Sequence, residues 1–360
     1  MKTRSLYPLI FSFLLAGGMA ASPIAIAAGE AGTGNAPRQN SQGFLNAPKD
    51  TTLATTGRDL SAFPAYVETL KDEARRQGID EATLDAAFAQ VHFVDRAIQA
   101  DRDQPEKKIT LSDYLDRILP QSKIDRAREK FQQHQQQLLS VSGKTGVQPE
   151  YIVALWAIES NFGRIQGRED VISALATMAF EGRREAFFTR ELIAALTMIQ
   201  QKHVEAGMMK GSWAGAMGQN QFMPSSFLTY GMDGDGDGII DIWQNSDDVF
   251  ASTANYLVKE GWQAGESWGR EVVLPADFRP ALAGLKTEQA KSVGEWQTMG
   301  VRTQSDAALP ANAVRAWIIT PDDPSGRAFM VFDNFRTIMH WNRSLYFAIS
   351  IGMMADAISQ

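Results

Sequence analysis

PEYIVALWAIESNFGR, residues 149–164, is the stretch on which the reading of this chain turns. Pro149 suits the first turn of a helix and Gly163 its end, so the spacing predicts a helix between them. Ile152, Leu155 and Trp156 stand seven, four and three positions before Glu159. A helical period therefore sets this carboxyl on the apolar stripe. It also lies in the last turn, where the helix dipole is negative. Desolvation and dipole both disfavour the ionised form and should lift its pKa above the ~4.3 of a free Glu, as a general acid near neutral pH requires. On the helix alone, a Glu at the edge of an apolar face could equally reach water or cap a backbone amide.

About fifty residues on, the chain reads GSWAGAMGQNQFMPSSF, residues 211–227. Gly211, Gly215, Ala216 and Gly218 allow close backbone approach, while Ser212, Gln219, Asn220, Gln221, Ser225 and Ser226 offer neutral hydrogen-bonding groups beside Trp213 and Phe222. Aromatic faces stack on pyranose rings, and amides match hydroxyl and acetamido groups. By itself the segment reads equally as a glycine-loosened loop packed under an aromatic.

Farther along, Asp233, Asp235, Asp237 and Asp241 occupy positions 1, 3, 5 and 9 of a twelve-residue loop, with Gly238 at the turn position 6 and the carbonyl of Ile239 at position 7. Oxygen donors so spaced can wrap a hard cation. Position 12 is Gln244 rather than a bidentate Glu, which weakens the site or moves its last ligand to Asp247 or Asp248.

The N-terminus has the grammar of an export signal over residues 1–28: Lys2 and Arg4, an apolar run over residues 6–15, and Ala25-Ile26-Ala27 as a cleavage site. Losing it leaves 33 basic against 42 acidic residues. That balance, with no basic stripe, excludes nucleic acid as a partner. With 0 cysteines, disulfides and thiol chemistry are excluded. The four histidines, His92, His134, His203 and His340, lack zinc spacing and read as structural.

Residues 29–57 read as a flexible tether, 58–145 as an N-terminal helical subdomain in which Asp80 caps a helix, and 146–264 as the helical core carrying the motifs. The runs REVVL, RAWIIT and AFMVF put a small β-rich subdomain at 265–335, and residues 336–360 return to the core as a C-terminal helix. The fold expected is α+β, mainly α.

AIESNFGR and GSWAGAMGQNQFMPSSF, followed by DGDGDGIIDIW, ANYL and HWNRS in that order, resemble the B-type lytic murein transglycosylases of glycoside hydrolase family 103 over residues 61–359. The resemblance implies a lysozyme-like catalytic core acting on peptidoglycan glycan strands, with cleavage between N-acetylmuramic acid and N-acetylglucosamine that uses no water and leaves a 1,6-anhydromuramic end. It implies Glu159 as acid and then base, Ser212, Gln221, Tyr256 and Asn342 as substrate contacts, and a structural calcium in the aspartate loop, no cofactor being needed for catalysis. Where the family often has Tyr, this chain has Trp341 and Phe347, so both stay outside the expected site. Without cysteine the lipid anchor of membrane-bound members is excluded, and the expectation is a soluble periplasmic enzyme whose partners include proteins of cell-wall synthesis or turnover. The rival readings are a water-using muramidase, for which no second carboxylate is evident in these motifs, and an inactive calcium-stabilised peptidoglycan-binding protein.

Overall fold

The computed structural model describes residues 57–102, 109–305, 307–309, 314–323 and 325–360, so the expected leader and the tether up to residue 56 lie outside the described residues. The fold is mainly helical with a small antiparallel sheet. At its centre is the Pro149–Ser160 helix, and ten of its twelve residues are buried. The apolar stripe inferred from Ile152, Leu155 and Trp156 is therefore too narrow: Val153, Ala154, Ala157 and Ile158 are buried as well. A helix apolar all round must be enclosed. It is packed by the helices Gln121–Gln133, Gln135–Thr145, Ser246–Lys259 and Leu345–Ser359.

Around this axis the chain builds in sequence order. Phe63–Arg76 opens with Pro64 in its first turn and buries Phe63, Val67, Leu70 and Ala74, the spacing of one helix face. Asp80 caps Glu81–Phe88 by accepting from the Thr83 amide at 2.7 Å, as its sequence position predicts. The glutamine-rich segment is two helices separated at His134, and Gln137 reaches across to Asp247 at 2.7 Å, so this face is not merely solvated. Val171–Glu181 and Glu185–Gln200 pair as a buried hairpin of helices.

The strands Gly269–Val273, Arg315–Ile319 and Ala328–Val331 coincide with the three β-favouring runs. Lys291–Ser292 and Arg302–Thr303 extend them into a five-stranded antiparallel sheet. Alternation along the strands divides two cores. Trp317, Ile319, Phe329 and Val331 join the main helical cluster, while Ala316, Ile318, Ala328 and Met330 face a smaller one with Val272, Val293 and Trp296. The C-terminal segment differs from the single helix expected over 336–360. It forms Asp333–Trp341 and Leu345–Ser359, interrupted where Asn342 turns extended and Ser344 caps the second helix.

Gly352 packs directly on the buried Trp268, whose indole donates to Asp356 Oδ2 at 2.9 Å. A methyl carbon at position 352 would lie 2.1 to 2.4 Å from ring carbons of Trp268, well inside van der Waals contact. Helix propensity favours Ala over Gly by ~1 kcal/mol, but overpacking costs roughly 1–3 kcal/mol and occasionally more. Gly352→Ala should therefore be net destabilising, read as a lower midpoint in urea with an unchanged slope; an unchanged or higher midpoint would show that Trp268 can move aside.

Candidate active site and cation loop

Glu159 and Glu150 are the two residues of the Pro149–Ser160 helix that keep partial exposure, and the Glu159 carboxyl is nonetheless surrounded closely enough by protein to be largely desolvated. Immediately after Glu159 the chain turns back through consecutive left-handed residues, Asn161, Phe162 and Gly163, with φ of 50°, 59° and 78°. For a residue as bulky as Phe the conformation costs roughly 1–3 kcal/mol. Burial of Phe162 edge-on to Trp156, ring centres 5.4 Å apart, helps to offset it. Ser160 Oγ accepts from the Gly163 amide at 3.0 Å and fixes the turn.

The glycine-rich segment closes over that turn. Lys210–Gly211 pairs with Glu169–Asp170, and Met217 bridges both Gly211 and Phe222. Gly167 lies so close to the backbone of Gly211 and Ser212 that a Cβ would collide with it. Gln219 ties the loop to the central helix, accepting from Trp156 Nε1 at 2.6 Å and donating to the Trp243 carbonyl at 3.0 Å. Asn220 is buried and donates to the Val249 carbonyl and to Thr253. Both therefore serve the scaffold, although their amides suggested sugar contacts.

The expected substrate residues lie as follows. Ser212 Oγ accepts from the amides of Ala214 and Ala216 at 3.3 and 3.0 Å, which leaves its proton for a further partner. Gln221, itself left-handed with φ 51°, donates through Nε2 to the carbonyls of Gly218 and Gln166 at 2.9 and 3.2 Å. Tyr256 is nearly buried, and the charge of Glu159 is among the causes that raise its pKa, after desolvation and the fields of Tyr230 and Glu260. Asn342 Oδ1 accepts from the Ser344 amide at 3.0 Å. Phe222 is buried against Tyr230, Tyr256 and Trp341, so it backs the cleft rather than offering a free stacking face.

Trp341 is the residue sequence reasoning left out. Its indole Nε1 donates to Glu159 Oε1 at 2.8 Å, across 182 residues of chain. Its ring rests on Tyr256, centre to centre 4.6 Å, and on Phe222 at 5.3 Å. The absence of a tyrosine there reads in sequence as a lost hydroxyl. The signal that could have found it is that indole keeps a donor. Phe347, by contrast, is buried in the core. Tyr114 joins the site from the Leu111–Ile118 helix, its pKa pushed up to about 12 by burial first, with a contribution from Glu159.

Burial pushes the Glu159 carboxyl up to about 8, and the indole bond opposes the rise by stabilising the anion. No other acid contributes to that shift. Among the described residues the buried acids are committed elsewhere: Asp101 to Arg183 and Arg184, Glu181 to Arg183, Glu191 to Ser225, and Asp248 to two backbone amides. Arg183 and Arg184 thus hold buried carboxylates rather than standing free for an acidic substrate. A separate cleft of about 500 Å³ lies between Leu115, Trp268, Phe329 and Met353. Glu159 does not line it, and its Glu271 is clamped bidentately by Arg327.

In the aspartate loop, carboxylate oxygens of Asp233, Asp235 and Asp248 converge within 4.8 Å of one another. Gly238 takes φ 90° at the turn position. Asp237 Oδ1 accepts from the Ile239 amide at 2.8 Å, and Asp241 Oδ1 accepts from those of Trp243 and Gln244 at 2.8 and 3.0 Å. The Ile239 side chain is exposed, consistent with a position whose carbonyl is the useful group. Asp248 is fully buried, and its pKa is raised by desolvation and by the charges of Asp235 and Asp233 against the bonds from Gly234 and Asp241. Gln137 holds Asp247 aside. Three converging carboxylates, one of them buried, fit a hard divalent cation.

The transglycosylase SLT domain family matches residues 62–356. The chain is 27% identical over 331 residues to membrane-bound lytic murein transglycosylase B of Escherichia coli K12, covering 89% of each. Its fold is similar to SltB3 from Pseudomonas aeruginosa in complex with NAG-anhNAM-pentapeptide, with 41% identity, 82% of this chain and 79% of that one covered, and a TM-score of 0.79. It is also similar to the Escherichia coli lytic transglycosylase Slt35 in complex with calcium, with 26% identity, 88% and 98% coverage, and a TM-score of 0.69. The chain belongs to this family and is a lytic transglycosylase of peptidoglycan.

The carboxyl of Glu159 holds its proton to about pH 8 in the folded chain, whereas an unfolded Glu releases it near ~4.3. Between those values folding takes up a proton, so this group's contribution to stability falls as pH rises through the window and levels off above it. Glu159→Gln, neutral throughout, should gain in melting temperature relative to the wild type more at pH 8 than at pH 4.5. Equal differences at both pH values would show that the carboxyl ionises normally.

Proposed function

We propose that Glu159 carries both proton transfers of the lytic reaction, cleaving the β-1,4 bond between N-acetylmuramic acid and N-acetylglucosamine with a 1,6-anhydromuramic product. The observation that carries this reading is a carboxyl kept protonated at neutral pH by burial, with no second acid acting on it. Glu159 donates its proton to the glycosidic oxygen, and the C1–O bond breaks with its electron pair leaving on that oxygen. The muramoyl acetamido group stabilises the electron-poor anomeric carbon. The C6 hydroxyl then attacks that carbon and its proton passes to the Glu159 carboxylate, restoring the acid. Ser212, Gln221, Tyr256 and Asn342 are assigned to substrate contacts beside it. The complex of SltB3 with NAG-anhNAM-pentapeptide supports an anhydro sugar as the ligand of this cleft.

The rival muramidase needs a second carboxylate or base to activate water. The engagement of the buried acids in other bonds speaks against it. Glu159→Gln should lower turnover of purified sacculi by at least ~10²-fold, since general acid–base work is typically worth 10²–10⁴ and one group serves both steps. Mass analysis in ¹⁸O-labelled water should find muramic ends one water lighter and unlabelled. Label at those ends would establish hydrolysis, and a variant keeping more than a tenth of wild-type turnover would remove Glu159 from the acid's role.

The aspartate loop is assigned a structural calcium held by Asp233 and Asp235 with Asp248 as the closing carboxylate, and with Asp237, Asp241 and the Ile239 carbonyl completing an oxygen shell. The calcium complex of Slt35 supports the choice of ion. Among the described residues no helix is long and apolar enough to cross a membrane, and the periplasm is the compartment where the substrate lies. The divisions near residues 145, 264 and 335 are read as subdomains of this one enzyme. Binding to the folded state alone at ten to a hundred times Kd stabilises by ~1.4–2.7 kcal/mol, which for a chain of this size is a few degrees. Millimolar calcium should raise the melting temperature by that amount in the wild type and not in Asp235→Asn; an equal rise in both would place the ion elsewhere.

A further inference from the structure

The indole of Trp341 donates to Glu159 Oε1 at 2.8 Å and, unlike a hydroxyl, it can only donate. A carboxylic acid whose Oε1 bore the proton and pointed it at this group would face a second donor with no acceptor between them. A protonated Oε1 with its O–H turned away accepts more weakly than a carbonyl oxygen, so the indole bond is strongest when the proton is on the other oxygen. Trp341 has little freedom to turn away, because its ring is wedged on Tyr256 and Phe222 at 4.6 and 5.3 Å and its backbone ends the Asp333–Trp341 helix.

We infer that Trp341 is a positioning residue that confines the transferable proton of Glu159 to Oε2, so that protonation of the glycosidic oxygen and deprotonation of the C6 hydroxyl pass through the same oxygen. This rests on Glu159 being the acid and base. After the first transfer the indole bond stabilises the carboxylate through Oε1 while Oε2, newly emptied, faces the incoming hydroxyl. The two steps then need no rotation of the carboxyl between them. The titratable groups that sense Glu159 are Tyr114 and Tyr256, whose ionisation burial opposes, and Glu260 and Tyr230 act on Tyr256 in turn. Both tyrosines are uncharged at neutral pH, so neither supplies a positive charge to the carboxylate.

Trp341→Phe keeps a ring on Tyr256 and removes the donor; Trp341→Tyr restores a group able to donate. For the Phe variant kcat should fall about ten- to a hundredfold, the range carried by a hydrogen bond to a charged group, with KM changed less than threefold. The alkaline limb of its kcat/KM profile should move to higher pH, because the bond that favoured the carboxylate is gone. The Tyr variant should recover part of kcat and return the limb toward the wild-type position. In the unmodified protein, the Nε1–H resonance of Trp341, assigned by its loss in either variant, should titrate with the same midpoint as that limb. A resonance flat from pH 5 to 9.5, or a folded Phe variant with unchanged limb and kcat, would overturn the inference. Failure of the underlying acid–base reading is distinct: it would appear as turnover by Glu159→Gln, whatever the indole resonance does.

Discussion

A helix with almost no polar face cannot lie on the surface, and the rest of the molecule is arranged to meet that demand. Pro149–Ser160 is enclosed by helices drawn from both sides of it in sequence, including the last helix of the chain. The enclosure also brings Trp341, 182 residues away, onto Glu159. Without that enclosure the carboxyl at the end of the helix would meet water and lose the desolvation that raises its pKa. Burial of the core and tuning of the acid are thus one constraint seen at two places.

Much of this was legible in the sequence where short-range chemistry decides the outcome. The Pro149 start, the Asp80 cap, the three long strands and the placement of Glu159 in a last turn follow from residues within a few positions of one another. What escaped depends on contacts between remote segments. Gln219 and Asn220 look like sugar-binding amides, yet their partners are Trp156, Trp243, Val249 and Thr253, which no local pattern reveals. Phe222 looks like a stacking platform and is instead packed from behind by Tyr230 and Tyr256.

Trp341 was misread for a different reason. Comparison with a tyrosine asks what a substitution lacks, whereas the geometry asks which atoms a side chain can bring to a given point. An indole carries its donor at the side of the ring rather than at its far end, and here that nitrogen meets the carboxyl from a ring seated on neighbouring aromatics. The aspartate loop teaches a related point. Counting positions leaves the last ligand open between Asp247 and Asp248; Asp248 enters the cluster from the first turn of the following helix, while Gln137 restrains the adjacent Asp247.

The division of the sheet between two cores has a consequence for the chain before it is folded. A strand that faces apolar surroundings on both sides, Ala316 to Ile319, is a run with high β-propensity and no charge, the composition of segments that self-associate when bare. Its outer edge meets the two residues of Lys291–Ser292, the Gly284 amide, which donates to the Ile318 carbonyl at 2.8 Å, and the Trp296 indole, which donates to the Ala316 carbonyl at 3.0 Å. The flanks act as gatekeepers. Arg315 enters the run with its guanidinium over Trp317 and its charge on Asp333, and Pro321 follows two residues after Ile319. Exposed early, this strand is where intermolecular pairing would begin, and the basic residue and proline at its ends bound the length over which such pairing can spread.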